Sequence, residues 1–326
     1  MKREVTFTNL DPGDYIFKVK ACNQDGIWCD NFASIQIFIS PPWWSTRWAY
    51  GTYLLFFLGL LYGIRRFELT RRKEKEDKRI LELENDRKTK ELKQASKLQL
   101  SMLPKDIPVI PNLDIAAYMK TATEVGGDYY DFCRSEDGNY FTAVLGDATG
   151  HGMNAGMMVS ISKGLFKNLA QQPDLQYVIS QFNSSLLSME LQPMYMSLYF
   201  LRIIYNELQL VGAGMPPSLL FQKKSNNVME IESSGPPLGG FANFDYEICN
   251  YKLSSGDIIL IMSDGFAERR NSEKEIIGWD KAREILTGMK DSTADEIVKE
   301  FVKASDDWGG ERPQDDDFTL LVINVK

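Results

Sequence analysis

Apolar positions divide the chain into three kinds of segment. In the first forty residues, β-branched and aromatic side chains concentrate at 5–8, 15–20 and 34–39. The first two stretches flank a turn signal, Asp11, Pro12, Gly13 and Asp14, so three strands are predicted. Forty residues without staples bury too little surface to fold alone. This segment is therefore expected to be the last piece of a larger domain, and the chain a fragment of a longer protein. Residues 48–64 then run without a charge. As a helix they would reach about 26 Å, close to the ~30 Å hydrocarbon core of a bilayer. Trp43, Trp44, Trp48 and Tyr50 gather on one side, and Arg65, Arg66, Arg71, Arg72 and Lys73 crowd the other. Aromatic belt and basic flank together predict a transmembrane helix with its basic end in the cytoplasm. The competing reading, a core helix of a soluble protein, gives no reason for either flank. Gly59 and Gly63 have the G-x-x-x-G spacing of membrane-helix pairing faces.

Residues 65–100 hold no Gly or Pro and are dense in charge, with scattered apolar points at Ile80, Leu83, Leu92, Ala95 and Leu98. A long helix is predicted. Arg87 and Lys88 interrupt its heptad seam, so a coiled coil and a solvated spacer both stay open. Pro104, Pro108 and Pro111 end it. Beyond 109 the periodicity alternates. Apolar runs at 140–146, 196–204, 257–262 and 318–325 predict central strands, and helical spacing marks 153–170, 175–190, 276–288 and 294–304. Strands first, then a helix pair, then more strands indicates an α+β sandwich rather than a doubly wound sheet.

Composition narrows the chemistry. The 326 residues carry 37 Lys+Arg against 45 Asp+Glu, a net charge of −8. Residues 1–100 hold 18 basic against 13 acidic side chains, and 101–326 hold 19 against 32. Such a balance argues against a phosphate-gripping nucleic-acid binder. His151 is the only histidine, and Cys22, Cys29, Cys133 and Cys249 lack metal-ligand spacing, so a zinc site is excluded. There is no Walker loop, G-x-G-x-x-G or G-x-S-x-G. A metal, if used, must sit on oxygen. Cys22 and Cys29, seven positions apart around an Asn-Gln-Asp-Gly turn, fit either a disulfide or two unpaired thiols.

The acids fall at strand ends. Asp128 lies in EVGGDYYDF (124–132), Asp147 closes a strand in GDATGHG (146–152), Asp264 closes another in SDGFAE (263–268), and Asp315, Asp316 and Asp317 open the last strand. In antiparallel sheets the start of one strand lies beside the end of its neighbour, so four acids can converge on one rim. Converging carboxylates repel unless a cation neutralises them. Oxygen ligands favour Mg²⁺ or Mn²⁺, and two such ions make a hydrolytic site.

These runs, with AGMPP (213–217) and DDFT (316–319) in order, resemble the SpoIIE-type serine phosphatases of the metal-dependent (type 2C) protein phosphatase superfamily, over roughly 95–326. FTNLDPGDY (7–15), NQDGIW (23–28) and PPWW (41–44) resemble the end of a triple-tyrosine sensor domain, which usually follows a propeller in membrane sensors. The resemblance implies a β-sandwich flanked by helix pairs and a centre of two Mn²⁺ or Mg²⁺ ions. It implies that Asp147 bridges the ions, that the Ala148 carbonyl completes a site, and that Asp128, Asp264 and Asp316 hold the ions. Asp315 leaves the last register open by one residue. A metal-activated water then attacks phosphorus without a phosphoenzyme, and His151 is a candidate proton donor to the leaving serine oxygen, a structural histidine being the alternative. Met215 stands where the family commonly has His, so a differently shaped pocket is expected.

The expected layout is therefore a sensor-domain remnant at 1–42, a membrane helix at 43–66, a helical signalling linker at 67–104 and the phosphatase domain at 105–326. The expected function is a membrane-anchored protein serine/threonine phosphatase, the output of a signalling receptor, with the N-terminal segment extracytoplasmic and the phosphatase cytoplasmic. By family analogy its substrate is a phosphoserine on a STAS-domain anti-anti-sigma factor in a partner-switching system. A homodimer through 65–103 is expected and no nucleic acid. The competing readings are a catalytically silent phosphatase-like binding or dimerisation module and a metal-dependent nuclease, which would need a basic groove.

Overall fold

The structure is a computed structural model that describes residues 4–191, 193–232 and 235–326. The chain divides into two compact units, Met1–Glu84 and Asn85–Lys326. In the first, β1 (Gly13–Val19) and β2 (Ala33–Ile39) pair antiparallel, from Gly13 opposite Ile39 to Val19 opposite Ala33. No turn forms at 11–14: Pro12 is only a bend and Gly13 and Asp14 already belong to β1, with the Tyr15 hydroxyl donating to the Asp11 carbonyl at 2.7 Å. The stretch at 5–8 forms no strand. Cys22 and Cys29 are free, exposed thiols, so the unpaired alternative holds.

The expected membrane helix and linker are one uninterrupted helix, α1 (Arg47–Met102). Among the described residues no helix is long and apolar enough to cross a membrane, which corrects the span expected at 43–66. The uncharged run is only 17 residues, and three glycines, three tyrosines, Trp48 and Thr52 dilute its leucines and phenylalanines.

The second unit is a sandwich of two five-stranded sheets in which every strand pairing is antiparallel. One sheet contains β4 (Asp128–Arg134), β5 (Tyr140–Ala148), β6 (Met196–Ile204), β7 (Glu207–Ala213) and β10 (Cys249–Lys252). The other contains β3 (Leu113–Lys120), β8 (Ser218–Gln222), β9 (Asn227–Ile231), β11 (Ile258–Met262) and β12 (Phe318–Val325). Helices α2 (Met153–Leu169) and α3 (Leu175–Ser188) cover the first sheet, and α4 (Gly278–Gly288) and α5 (Ala294–Gly309) cover the second. The α+β sandwich with flanking helix pairs is thus as expected.

The continuous apolar strands have a reason. Each central strand is buried on both faces, so successive side chains serve different layers. In β6, Leu198 and Phe200 pack under α2 and α3, while Tyr199, Leu201 and Ile203 fill the space between the sheets. In β11, Leu260 and Met262 meet α4 and α5, whereas Ile259 and Ile261 face inward. A capping box, with Thr293 and Glu296 satisfying each other's backbone N–H groups, starts α5. Met215 is buried in the layer between the sheets, so the departure from the family pattern falls within the core.

One charge lies wholly inside. Arg202, with no exposed surface, donates to the Thr142 hydroxyl at 3.0 Å and to the Pro173 and Ala170 carbonyls at 2.6 and 3.4 Å, and it stacks on the Tyr140 ring. It ties β5 and β6 to the C-terminal end of α2, whose last carbonyls favour a cation. Arg202→Leu leaves these acceptors unsatisfied and should cost about 2–4 kcal/mol, read from the midpoint of urea unfolding; a change within ~0.5 kcal/mol would contradict this role.

Candidate metal centre

The acids meet through strand register. Antiparallel pairing of β4 with β5 sets Asp128 directly opposite Asp147. In the other sheet Met262 pairs with Leu320, which brings the chain just past β11, including Asp264, level with the start of β12. Asp147 feels the charges of Asp264, Asp316 and Asp317, so one rim of the sandwich does collect acids from both sheets. As they stand, no three of the acidic, histidine or cysteine side chains among the described residues close around one point tightly enough to hold an ion.

The electrostatics of this rim are unfavourable for bare carboxylates. Burial, then the charges of Asp264, Asp316 and Asp317, push Asp147 up to about 8. Burial, Asp316 and Glu268 raise Asp264 to about 6. Asp128 is raised well above its usual range, first by burial and then by Asp147. Its Oδ2 accepts from the Ser263 hydroxyl at 2.9 Å, but its Oδ1 is buried and accepts no hydrogen bond, although Thr319 lies close enough to lower its pKa. Asp316 is exposed on its outer side, yet its neighbours desolvate it enough to raise its pKa, an effect that nearby His151 partly offsets. An orphaned buried oxygen among mutually repelling carboxylates, with only oxygen donors at hand, fits a hard divalent cation.

The three consecutive aspartates separate by partner. Asp315 is held by Arg312, with Asp315 Oδ1 2.8 Å from the guanidinium. Asp317 is nearly buried and accepts backbone N–H bonds from Ala122 at 2.7 Å, Gly127 at 2.6 Å and, weakly, Asp128 at 3.4 Å. Its carboxylate is therefore a clamp on the loop that carries Asp128. Among the described residues the Asp316 carboxylate accepts only from the Asp317 N–H, at 2.8 Å, and it faces the acidic rim.

The glycines flanking Asp128 and Asp147 are required by close approach. A Cβ on Gly127 would stand 2.7 Å from the Ala148 carbonyl and 2.8 Å from Asp147 Oδ1. The Ala148 N–H also donates to the Gly127 carbonyl at 3.0 Å. The loop is held from a further direction. Gln99, near the end of α1 and almost completely buried, donates from Nε2 to the Gly126 carbonyl at 2.7 Å and accepts from the Gly126 N–H at 3.2 Å.

Asp131, in the same GGDYYD run, plays no part at the rim. Its side chain is buried under α2, where Lys163 and Lys167 hold it at 2.9 and 3.0 Å. Sequence reasoning missed Gln99, Ser263 and the clamp role of Asp317. Ser263 stands beside Asp264 in a motif already singled out. Gln99 bonds to backbone 27 positions away, a contact that leaves no spacing to read.

Comparison with known proteins adds to this geometry. Residues 137–326 match the family described as Stage II sporulation protein E (SpoIIE), and residues 1–40 match the Y_Y_Y domain. The chain is 25% identical over 243 residues to Phosphoserine phosphatase RsbU of Bacillus subtilis, a match that covers 72% of this chain and 70% of that protein. Protein IcfG of Synechocystis sp. is 25% identical over 267 residues, but the match covers only 41% of its length. Among solved structures, the SiaA-PP2C domain of Pseudomonas aeruginosa superposes with a TM-score of 0.66 at 18% identity, covering 74% of this chain and 98% of that domain. RsbX in complex with magnesium superposes with a TM-score of 0.52 at 15% identity, covering 68% and 99%. At these identities the structural likeness establishes the fold.

Two outcomes are expected. Replacing Asp315, Asp316 and Asp317 singly by Asn should abolish divalent-cation-dependent turnover only at Asp316. Asp317→Asn should instead lower the unfolding midpoint by loosening the 122–128 loop, and Asp315→Asn should do little; a severe loss of turnover at Asp315 would shift the register. The second outcome concerns pH. Asp147 and Asp264 have folded pKa values above the unfolded carboxylate value of about 3.9, so the folded chain binds more protons than the unfolded one. In EDTA their contribution is fully present below about pH 4 and is lost as pH rises through about 6 to 8. Urea midpoints in EDTA should fall across that window, and a flat profile would contradict the repulsive cluster.

Proposed function

The chain belongs to the SpoIIE family of protein phosphatases, and from that premise we propose that it is a Mn²⁺- or Mg²⁺-dependent phosphoserine/phosphothreonine phosphatase acting on a small regulatory protein. The observation that carries the reading is the Asp147-centred cluster, whose carboxylates raise one another's pKa values and leave Asp128 Oδ1 without a partner. In this reading Asp128, Asp147, Asp264, Asp316 and the Ala148 carbonyl hold two divalent cations. When bound, the ions neutralise the cluster and lower the pKa of a water for attack on phosphorus. Asp317 keeps the Asp128 loop in place through backbone N–H groups, and Gln99 holds the same loop from α1. His151, exposed beside Asp316, gives a proton to the leaving serine oxygen.

The relatives support a phosphoserine substrate. RsbU carries the name phosphoserine phosphatase, and the substrate read here is a phosphoserine on a STAS-domain protein in a partner-switching system. Regulation enters through α1: its 65–103 stretch pairs in a homodimer, and the register of its end sets whether Gln99 reaches Gly126.

Purified full-length chain should release phosphate from a phosphoserine STAS-domain protein with Mn²⁺ and none in EDTA, measured by phosphate release. Equal rates in both, or no release with any phosphoserine protein or aryl phosphate, would sink the reading. Gln99→Leu keeps the volume but removes both bonds to Gly126. It should raise the Mn²⁺ concentration for half-maximal rate by about tenfold, as expected for two lost buried hydrogen bonds; an unchanged Mn²⁺ requirement would make Gln99 a packing residue only.

A further inference from the structure

A phosphate monoester brings negative charge to a rim whose carboxylates two divalent ions do no more than offset, so a further cation beside the rim favours its approach. A cavity of about 260 Å³ adjoins Asp316, lined by Gly265, Glu268, Arg269, Arg270, Asp315 and Asp316. Two of its walls are cationic, and they differ. Arg269 is nearly buried and committed: its Nη1 and Nη2 donate to the Pro313 and Arg312 carbonyls at 2.6 and 2.5 Å. Arg312, nearby, is paired with Asp315. Arg270 is exposed, makes no ion pair among the described residues, and has only a long bond from Nη1 to the Lys274 carbonyl at 3.5 Å. It is close enough to Asp315 for its charge to be felt there.

The loop that presents Arg270 is braced. Arg270 forms a β-bridge with Ile276. The Ile277 N–H donates to the Arg269 carbonyl at 3.0 Å, and the Gly278 N–H to the Ala267 carbonyl at 2.9 Å. Asn271 Oδ1 accepts from the Glu273 and Glu275 N–H groups at 3.0 and 2.9 Å. The Trp308 indole donates to the Glu275 carbonyl at 3.1 Å, fastening the loop to the end of α5. An uncommitted guanidinium on a fixed backbone, beside the rim where the reaction occurs, has the planar fork that matches two phosphoryl oxygens.

We propose that Arg270 is a substrate-binding residue, whose guanidinium takes the phosphoryl oxygens of the phosphoserine as it enters over Asp316. The proposal rests on the phosphatase reading of the same site. It differs from the metal ligands in what it predicts, because a contact made equally to substrate and transition state lowers KM without raising kcat.

The test titrates the full chain, in excess Mn²⁺, with inorganic phosphate by calorimetry, for wild type, Arg270→Ala and Arg270→Lys. KM and kcat are then measured with an aryl phosphate and with a phosphoserine protein. The expected result is a phosphate Kd raised about tenfold or more in Arg270→Ala and partly restored in Arg270→Lys, as for loss of a charge-assisted hydrogen bond. KM for both substrates should rise by a similar factor with kcat nearly unchanged. An unchanged phosphate Kd overturns the proposal, and so does a KM change confined to the phosphoserine protein, which would mean that Arg270 reads the partner's surface. Should Arg270→Ala not fold, judged by its melting curve, Arg270→Gln carries the same comparison. Phosphate binding needs no turnover, so a wild type that binds phosphate through Arg270 but hydrolyses nothing would contradict the phosphatase reading alone.

Discussion

Asp128 and Asp147 stand opposite each other on neighbouring antiparallel strands, and both are largely out of water. Like charges so placed repel, and burial makes the repulsion worse. A strand pair would not keep this arrangement for stability's sake, so much of the surrounding structure acts to hold it. Continuous apolar strands on both sheets supply the rigid scaffold. Asp317 fixes the Asp128 loop through backbone N–H groups, Ser263 occupies one oxygen of Asp128, and Gln99 grips Gly126 from outside the sandwich. Gly127 and Gly146 let the two strands and their neighbours approach where any side chain would collide.

The same constraint explains why α1 matters to the site. Among the described residues, the hydrogen bonds between α1 and the 122–128 loop both come from Gln99, and the small Gly156 of α2 lets Val125 pack close by. A loop that carries a buried carboxylate opposite another is costly to hold, and Gln99 is one of the groups that hold it. Asp131, bound by Lys163 and Lys167, anchors β4 to α2.

Much of this was legible in the sequence. The apolar runs located β5, β6, β11 and β12, and helical spacing located all four helices of the sandwich to within a few residues, because two-faced burial and amphipathic spacing write themselves into local pattern. Aspartates beside glycines at strand ends gave the rim. What stayed hidden were contacts between distant backbone and side chain. Nothing at position 99 distinguishes a glutamine that grips a carbonyl from one that faces water, and three adjacent aspartates read alike until their partners are known. The 48–64 run carries no charge, but its tyrosines, tryptophan and glycines dilute the apolar side chains, so freedom from charge there does not amount to the hydropathy of a span.

The most direct test of the account is thermal melting of the full chain near pH 8, with and without excess Mn²⁺, for wild type and Asp147→Asn. If a repelling carboxylate cluster is the central constraint, Mn²⁺ raises the wild-type melting temperature by several degrees. Asp147→Asn, having lost one charge, should melt higher than wild type without metal and gain less from it. A wild type indifferent to Mn²⁺, or an Asp147→Asn that melts lower than metal-free wild type, would contradict the account.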